Sequence, residues 1–159
     1  MKNNKIIECS FPRYEDGTHS RTLGMGCFNE DGTLDMAIGY TLLEFIEQQR
    51  PKADTEFEEL LQQAEQGTYK PDDLRFGDWG INANEIWLSP PVAQKGCMAI
   101  TNENTEYSID PDSGGEPQQF TFNQYRTVLK FWRECQQMIE GKDLSTIEDF
   151  RREMPFPEQ

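Results

Sequence analysis

Apolar and polar positions are most sharply patterned in FTFNQYRTVLKFWREC, Phe120 to Cys135. Phe122, Tyr125, Val128, Leu129, Trp132, Cys135 and Ile139 fall within an arc of roughly 140° at about 100° per residue, which predicts an amphipathic helix. Thr121 and Gln124 have the spacing of a capping box and mark its start. Phe131 and Met138 widen the apolar arc to roughly 200°, too broad for one flat contact, so this helix should lie across a sheet with another element beside it. Arg126, Lys130 and Arg133 cluster on the far side and are expected in solvent.

The same reading gives the other elements. KIIECSF, Lys5 to Phe11, alternates like a strand, with Ile7, Cys9 and Phe11 on one face. Thr22 to Phe28 and Thr33 to Ile38 flank the turn signal NEDG and predict a hairpin, while the glycines of LGMGCF suit a bulge or a close backbone approach. Thr41 and Glu44 have capping-box spacing before a helix over about 42–50 that Pro51 stops. Asp54 can cap a second helix, with Phe57, Leu60, Leu61 and Ala64 on one face and Gly67 as terminator.

Residues 68–84 read as an ordered loop carrying Leu74, Phe76 and Trp79. EIWL is a strand closed by SPP, and its setting favours burial of Trp87. Cys97 to Thr101 and Thr105 to Ile109 predict a second hairpin around NEN, followed by the acidic turn DPDSGGEP. A last short helix is expected over Ser145 to Glu153, from the Ser145 and Glu148 box, before the prolines of MPFPEQ. The sum is an α+β fold: an antiparallel sheet of about five to six strands packed with three to four helices. It is read as a single compact domain over residues 1–159, with a short Pro-containing tail at about 154–159.

Composition changes this picture at one point, the charge. The net charge is -14, from 15 basic and 29 acidic side chains. Residues 54–116 hold 14 of the acids against only Lys70, Arg75 and Lys95, so one segment carries most of the imbalance. A concentrated negative field opposes folding through self-repulsion but speeds capture of a cationic partner, and it disfavours nucleic acid, whose phosphates need a basic surface. The start MKNNKIIECSF lacks an apolar run long enough for a signal peptide and no later segment approaches a membrane span, so a cytoplasmic protein with no membrane partner is expected. Cys9, Cys27, Cys97 and Cys135 are far apart, without a CxxC pair, and read as reduced, buried thiols.

Candidate chemistry is sparse. His19 is the only histidine, in a polar loop beside Ser20, and no GxSxG accompanies it. Carboxylate pairs such as Glu15 with Asp16, Glu58 with Glu59 and Asp72 with Asp73 arise from composition alone in so acidic a chain. Asp110, Asp112 and Glu116 partly resemble a calcium loop, but Pro111 and the missing third ligand and distal Glu break the spacing. No catalytic residue, cofactor or metal is assigned, and the chain is not read as an enzyme.

EIWLSPP, then CMAITNENTEYSID, then QFTFNQYRTVLKFWREC resemble the C-terminal half of small acidic immunity proteins of bacterial contact-dependent and polymorphic toxin systems, mainly over residues 85–140. The resemblance implies a cytosolic inhibitor, used in bacterial competition, that masks the basic active site of a toxin, a nuclease by preference. Its partner would be the C-terminal toxin domain of a secreted effector. Expected contact residues are Asp72, Asp73, Asp78 and Trp79 on the long loop, and Glu103, Glu106, Asp110, Asp112 and Glu116 around the second hairpin. Two alternatives stay open: an acidic DNA mimic or adaptor for a basic host factor, and a carboxylate-dependent enzyme.

Overall fold

The computed structural model describes residues 4–68, 75–79 and 84–159, with only the strand path given for 75–79. Two antiparallel sheets replace the single sheet expected. The first has the order β2-β1-β7, built from β1 (Ile6–Ser10), β2 (Gly24–Phe28) and β7 (Arg151–Pro155). The second has the order β3-β4-β5-β6, built from β3 (Arg75–Trp79), β4 (Asn84–Trp87), β5 (Cys97–Thr101) and β6 (Gln118–Thr121). Helical segments α1 (Met36–Ile38) and α2 (Glu44–Gln48) are joined by a wider π turn, Gly39–Leu43; α3 (Asp54–Gln66), α4 (Phe122–Ile139) and α5 (Leu144–Ile147) follow.

Helix α4 forms as the pattern dictates. Thr121 Oγ1 accepts from Gln124 N at 3.1 Å and Gln124 Oε1 accepts from Thr121 N at 2.9 Å, so two orphan donors are satisfied reciprocally. Its apolar arc serves two neighbours. Tyr125 meets Phe45 of α2 and Phe57 of α3, while Phe131 lies under the Arg152 guanidinium of β7, 5.2 Å from ring centre to carbon. One contiguous core therefore runs from Ile7 and Cys9 of the first sheet through Val128, Trp132 and Cys135 to Ile86, Met98 and Ile100 of the second. Helix α3 ends where expected, with Gly67 at φ 67°, a left-handed position that a side chain would strain.

Several expectations are corrected. Arg126 and Arg133 are not solvated on a bare face. Arg126 pairs with Glu58 and Glu65, and Arg133 with Asp54, because α3 lays its acids over that side of α4. The helix read over 42–50 starts earlier. Asp35 caps it, accepting from Ile38 N at 3.0 Å, whereas Thr41 is buried inside it and donates to the Ala37 carbonyl at 2.5 Å. The second arm of the first hairpin shrinks to one bridge, Phe28 to Leu34. Thr105 to Ile109 is no strand: it holds a turn of tight helix, Thr105–Tyr107, and β5 pairs with β6 instead.

Ser145 to Glu153 is mostly not helical. Only α5 forms, and the chain then extends as β7 along β1, matching Ile7 to Met154 and Cys9 to Arg152. Phe156 N donates to the Lys5 carbonyl at 2.8 Å and its ring is buried against Phe120. Strand β3 lies inside the stretch read as a loop, with a register shift between Phe76 and Trp79. At Gly26 the close approach is real: an added Cβ would stand 3.3 Å from the Phe28 ring. All four cysteines are free, Cys97 half-buried and the others buried, and Trp87 is half-buried with its indole N–H donating to Thr101 at 3.1 Å.

Candidate partner-binding surface

The acidic segment divides in two. The acids of α3 that face α4 are neutralised there by Arg126 and Arg133 and hold helices together. Glu103, Glu106, Asp110, Asp112 and Glu116 instead stand exposed on one loop, 102–117, which joins β5 to β6 and contains no lysine, arginine or histidine. Among the described residues none of the five forms an ion pair. Of the other sequence candidates, Asp72 and Asp73 lie outside the described residues. Asp78 and Trp79 belong to β3, and their side chains lie outside the description as well.

The loop is held by its own polar groups. Asn102 N donates to the Tyr107 carbonyl at 3.0 Å and Glu116 N to the Glu106 carbonyl at 3.3 Å, so the ends of the acidic stretch are tied. Side chains repeat the device, with Asn104 N on Asn102 Oδ1, Glu106 N on Asn104 Oδ1 and Asp112 N on Asp110 Oδ1, all within 2.9–3.0 Å. Tyr107 is buried beneath the loop, and burial with the nearby Glu106, Asp35 and Tyr40 raises its phenol pKa. Asn102 Nδ2 reaches the Tyr40 carbonyl at 3.4 Å, which docks the loop against the π turn.

Beside it lies an element that sequence reasoning missed. Leu34, Met36 and Tyr40 are 54%, 46% and 42% exposed, and they line a cleft of about 290 Å³ with Gly39, Glu44 and Glu47. Glu44 Oε2 accepts from the buried Asn84 Nδ2 at 2.6 Å, and Glu47 Oε1 accepts from Met25 N at 2.6 Å. Burial pushes the Glu47 carboxyl up to about 6, the hydrogen bond from Met25 opposing this and Glu44 adding to it. The sequence signal was present: Met36 and Tyr40 precede the helix read over 42–50, and the acids sit three residues apart in α2.

A raised carboxyl pKa means that the folded state disfavours the charged form, so this group opposes folding above pH 6 and ceases to do so as pH falls toward 4.5. Glu47→Gln is therefore expected to stabilise the chain by about 2 kcal/mol at pH 7.5. The advantage over the parent should vanish at pH 4.5, as paired urea melts would show. A constant difference at both pH values would contradict the assignment.

A second cleft, of about 790 Å³, runs over the outer face of β1 and β2 and brings His19 beside Glu8, Glu148 and Asp149. Its groups are engaged with one another. Arg13 donates to His19 Nε2 at 3.1 Å, which places the ring proton on Nδ1, 3.3 Å from the Phe11 carbonyl. The Asp149 carboxylate is 3.8 Å from Nε2 and 84% exposed, and Glu8 is taken by Ser10 and Arg151. No hydroxyl or thiol is hydrogen-bonded to His19 among the described residues, so the cleft shows no nucleophile–base pair. Nor does any group of three or more His, Cys, Asp and Glu among those residues suit a metal ion, Asp110, Asp112 and Glu116 included.

No helix among the described residues is long and apolar enough to cross a membrane. Comparisons with known protein families, with characterised proteins and with solved structures return no match to this chain.

Proposed function

We propose that the protein is an immunity protein, a cytosolic inhibitor that binds the toxin domain of a secreted bacterial effector and covers its basic active site. The observation that supports this most is loop 102–117: five exposed carboxylates, no cation of its own, and a backbone tied at both ends and docked on the π turn. Loose acidic tails serve solubility at no ordering cost. A loop held in one shape presents its charges at fixed spacing, which suits recognition of a cationic cleft and lowers the entropy lost on binding. A nuclease is the fitting target, since a phosphate-binding site gathers arginine and lysine.

The test is co-expression with candidate basic toxin domains, beginning with the C-terminal domain of any effector encoded beside this gene. The parent chain should restore growth and bind with an affinity that falls as salt rises. Reversal of Glu103, Asp112 and Glu116 to lysine, whose carboxylates take no part in holding the loop, should weaken binding by about tenfold or more while leaving the melting temperature within a few degrees. Rescue and affinity indifferent to both salt and these reversals would refute the reading.

A further inference from the structure

We propose that the cleft above Gly39 receives a lysine or arginine side chain of the cationic protein partner, its aliphatic stem against Leu34, Met36 and Tyr40 and its charge against Glu44 and Glu47. This rests on the reading of the acidic loop as a partner-binding surface and names the anchor beside it.

Three independent observations point to an occupant. The first is Gly39 itself. It has ordinary helical geometry, φ -61° and ψ -45°, so no backbone strain requires glycine. Nothing within 4 Å would meet an added Cβ, so no packing requires it either. Glycine inside a helix costs about 1 kcal/mol relative to alanine. With neither internal reason present, what the glycine preserves is the open space above it. The π turn that it begins is itself a distortion of the kind found at functional positions.

The second observation is the wall. Three of the exposed large apolar side chains, Leu34, Met36 and Tyr40, line this cleft together, Leu34 also bordering the cleft over β1 and β2. The third is the inner end. Asp35 also lines the cleft, but Lys5 pairs with it. Glu47, by contrast, is largely removed from water and meets no cation among the described residues; there it accepts from the Met25 backbone N–H. Asn84 donates from Nδ2 to Glu44, which orients that carboxylate, while its own buried Oδ1 meets no partner among the described residues.

Apolar walls leading to the largely desolvated Glu47 carboxylate, with Glu44 beside it, select the occupant. A purely apolar side chain would bury Glu47 further without compensation, and an anion would be repelled. A long cationic side chain satisfies both halves: methylenes pack along Leu34 and Met36, a guanidinium or ammonium meets the acids, and an arginine plane can stack on Tyr40. Loop 102–117, joined to Tyr40 through Asn102, adds field of the same sign at the rim.

The experiment uses the isotope-labelled full chain, titrated with N-acetyl-argininamide, N-acetyl-lysinamide and, as the uncharged isostere, N-acetyl-norleucinamide at equal ionic strength. Amide shifts at Met25, Gly39 and Tyr40 should saturate with the two cationic probes and not with norleucinamide. Gly39→Leu should abolish them by filling the cleft while the far-UV spectrum is retained, and Glu47→Gln should weaken them about fivefold. The proposal is overturned if norleucinamide acts equally, if shifts are confined to residues 102–117, or if both variants titrate like the parent. That failure is separable from the failure of the inhibitor reading. Loop reversals that weaken toxin binding beside an unresponsive cleft sink only this inference, and a responsive cleft with indifferent loop reversals sinks only the other.

Discussion

Tyr125→Ala is expected to lower the unfolding free energy by about 3–5 kcal/mol. Tyr125 is buried at the junction of three helices. Its ring lies 5.8 Å from Phe45, nearly parallel, and 5.1 Å from Phe57, edge on, while Phe45 and Phe57 are 5.2 Å apart. Each pair contributes beyond the area it buries, so truncation loses two ring contacts and leaves a hole that rigid helices close poorly. The phenol also donates to Gln49 Oε1 at 3.1 Å and accepts from Gln49 Nε2 at 2.8 Å. Tyr125→Phe isolates that polar part and should cost about 1–2 kcal/mol. Urea unfolding followed by circular dichroism measures both, and a Tyr125→Ala loss no larger than that of Tyr125→Phe would show that the ring cluster contributes little.

Arg133→Met is expected to cost about 2–4 kcal/mol, because it breaks a mostly buried pair and leaves one charge behind. The Arg133 side chain is only 16% exposed; its Nε and Nη2 both donate to the Asp54 carboxylate at 2.8 Å, and Nη2 also reaches the Gln49 carbonyl. Burial alone would raise the Asp54 pKa, but the hydrogen bonds from Arg133 and Gln49 and the arginine charge outweigh it and hold the carboxyl below 3.8. A depressed carboxyl pKa contributes stability that is present above the unfolded value and lost as pH falls through the folded one. The acid limb of the stability curve below about pH 4 should therefore flatten in Arg133→Met. Arg133→Met combined with Asp54→Leu should recover most of the loss, since the stranded carboxylate is then gone. A double variant as unstable as the single one would contradict this account.

What the sequence revealed and what it hid divide along physical lines. Helix α4 was legible from its period and its Thr121 and Gln124 cap, and α3 from its period and Gly67, but the Asp54 cap expected for α3 does not form: Asp54 is the first helical residue and its carboxylate accepts from Gln49 and Arg133 instead of from the helix backbone. Which strand pairs with which was not legible, since β7 joins β1 from the far end of the chain and the Ser145 and Glu148 box is an equally good local pattern for a helix. Solvation of Arg126 and Arg133 was misjudged because the acids that cover them belong to another helix. The charged half of the candidate surface, Glu103 to Glu116, could be found by counting. Its apolar half was missed because Met36 was read into a hairpin arm and the helix was begun after Tyr40, so the two side chains were never set on one helical run.

The position of β1 between β2 and β7 bears on synthesis. While the chain is still on the ribosome β1 can pair only with β2, and its other edge stays open until Arg151–Pro155 has emerged. The nascent protein thus carries an exposed strand edge throughout the synthesis of the intervening residues, the interval in which chaperones have most to protect there.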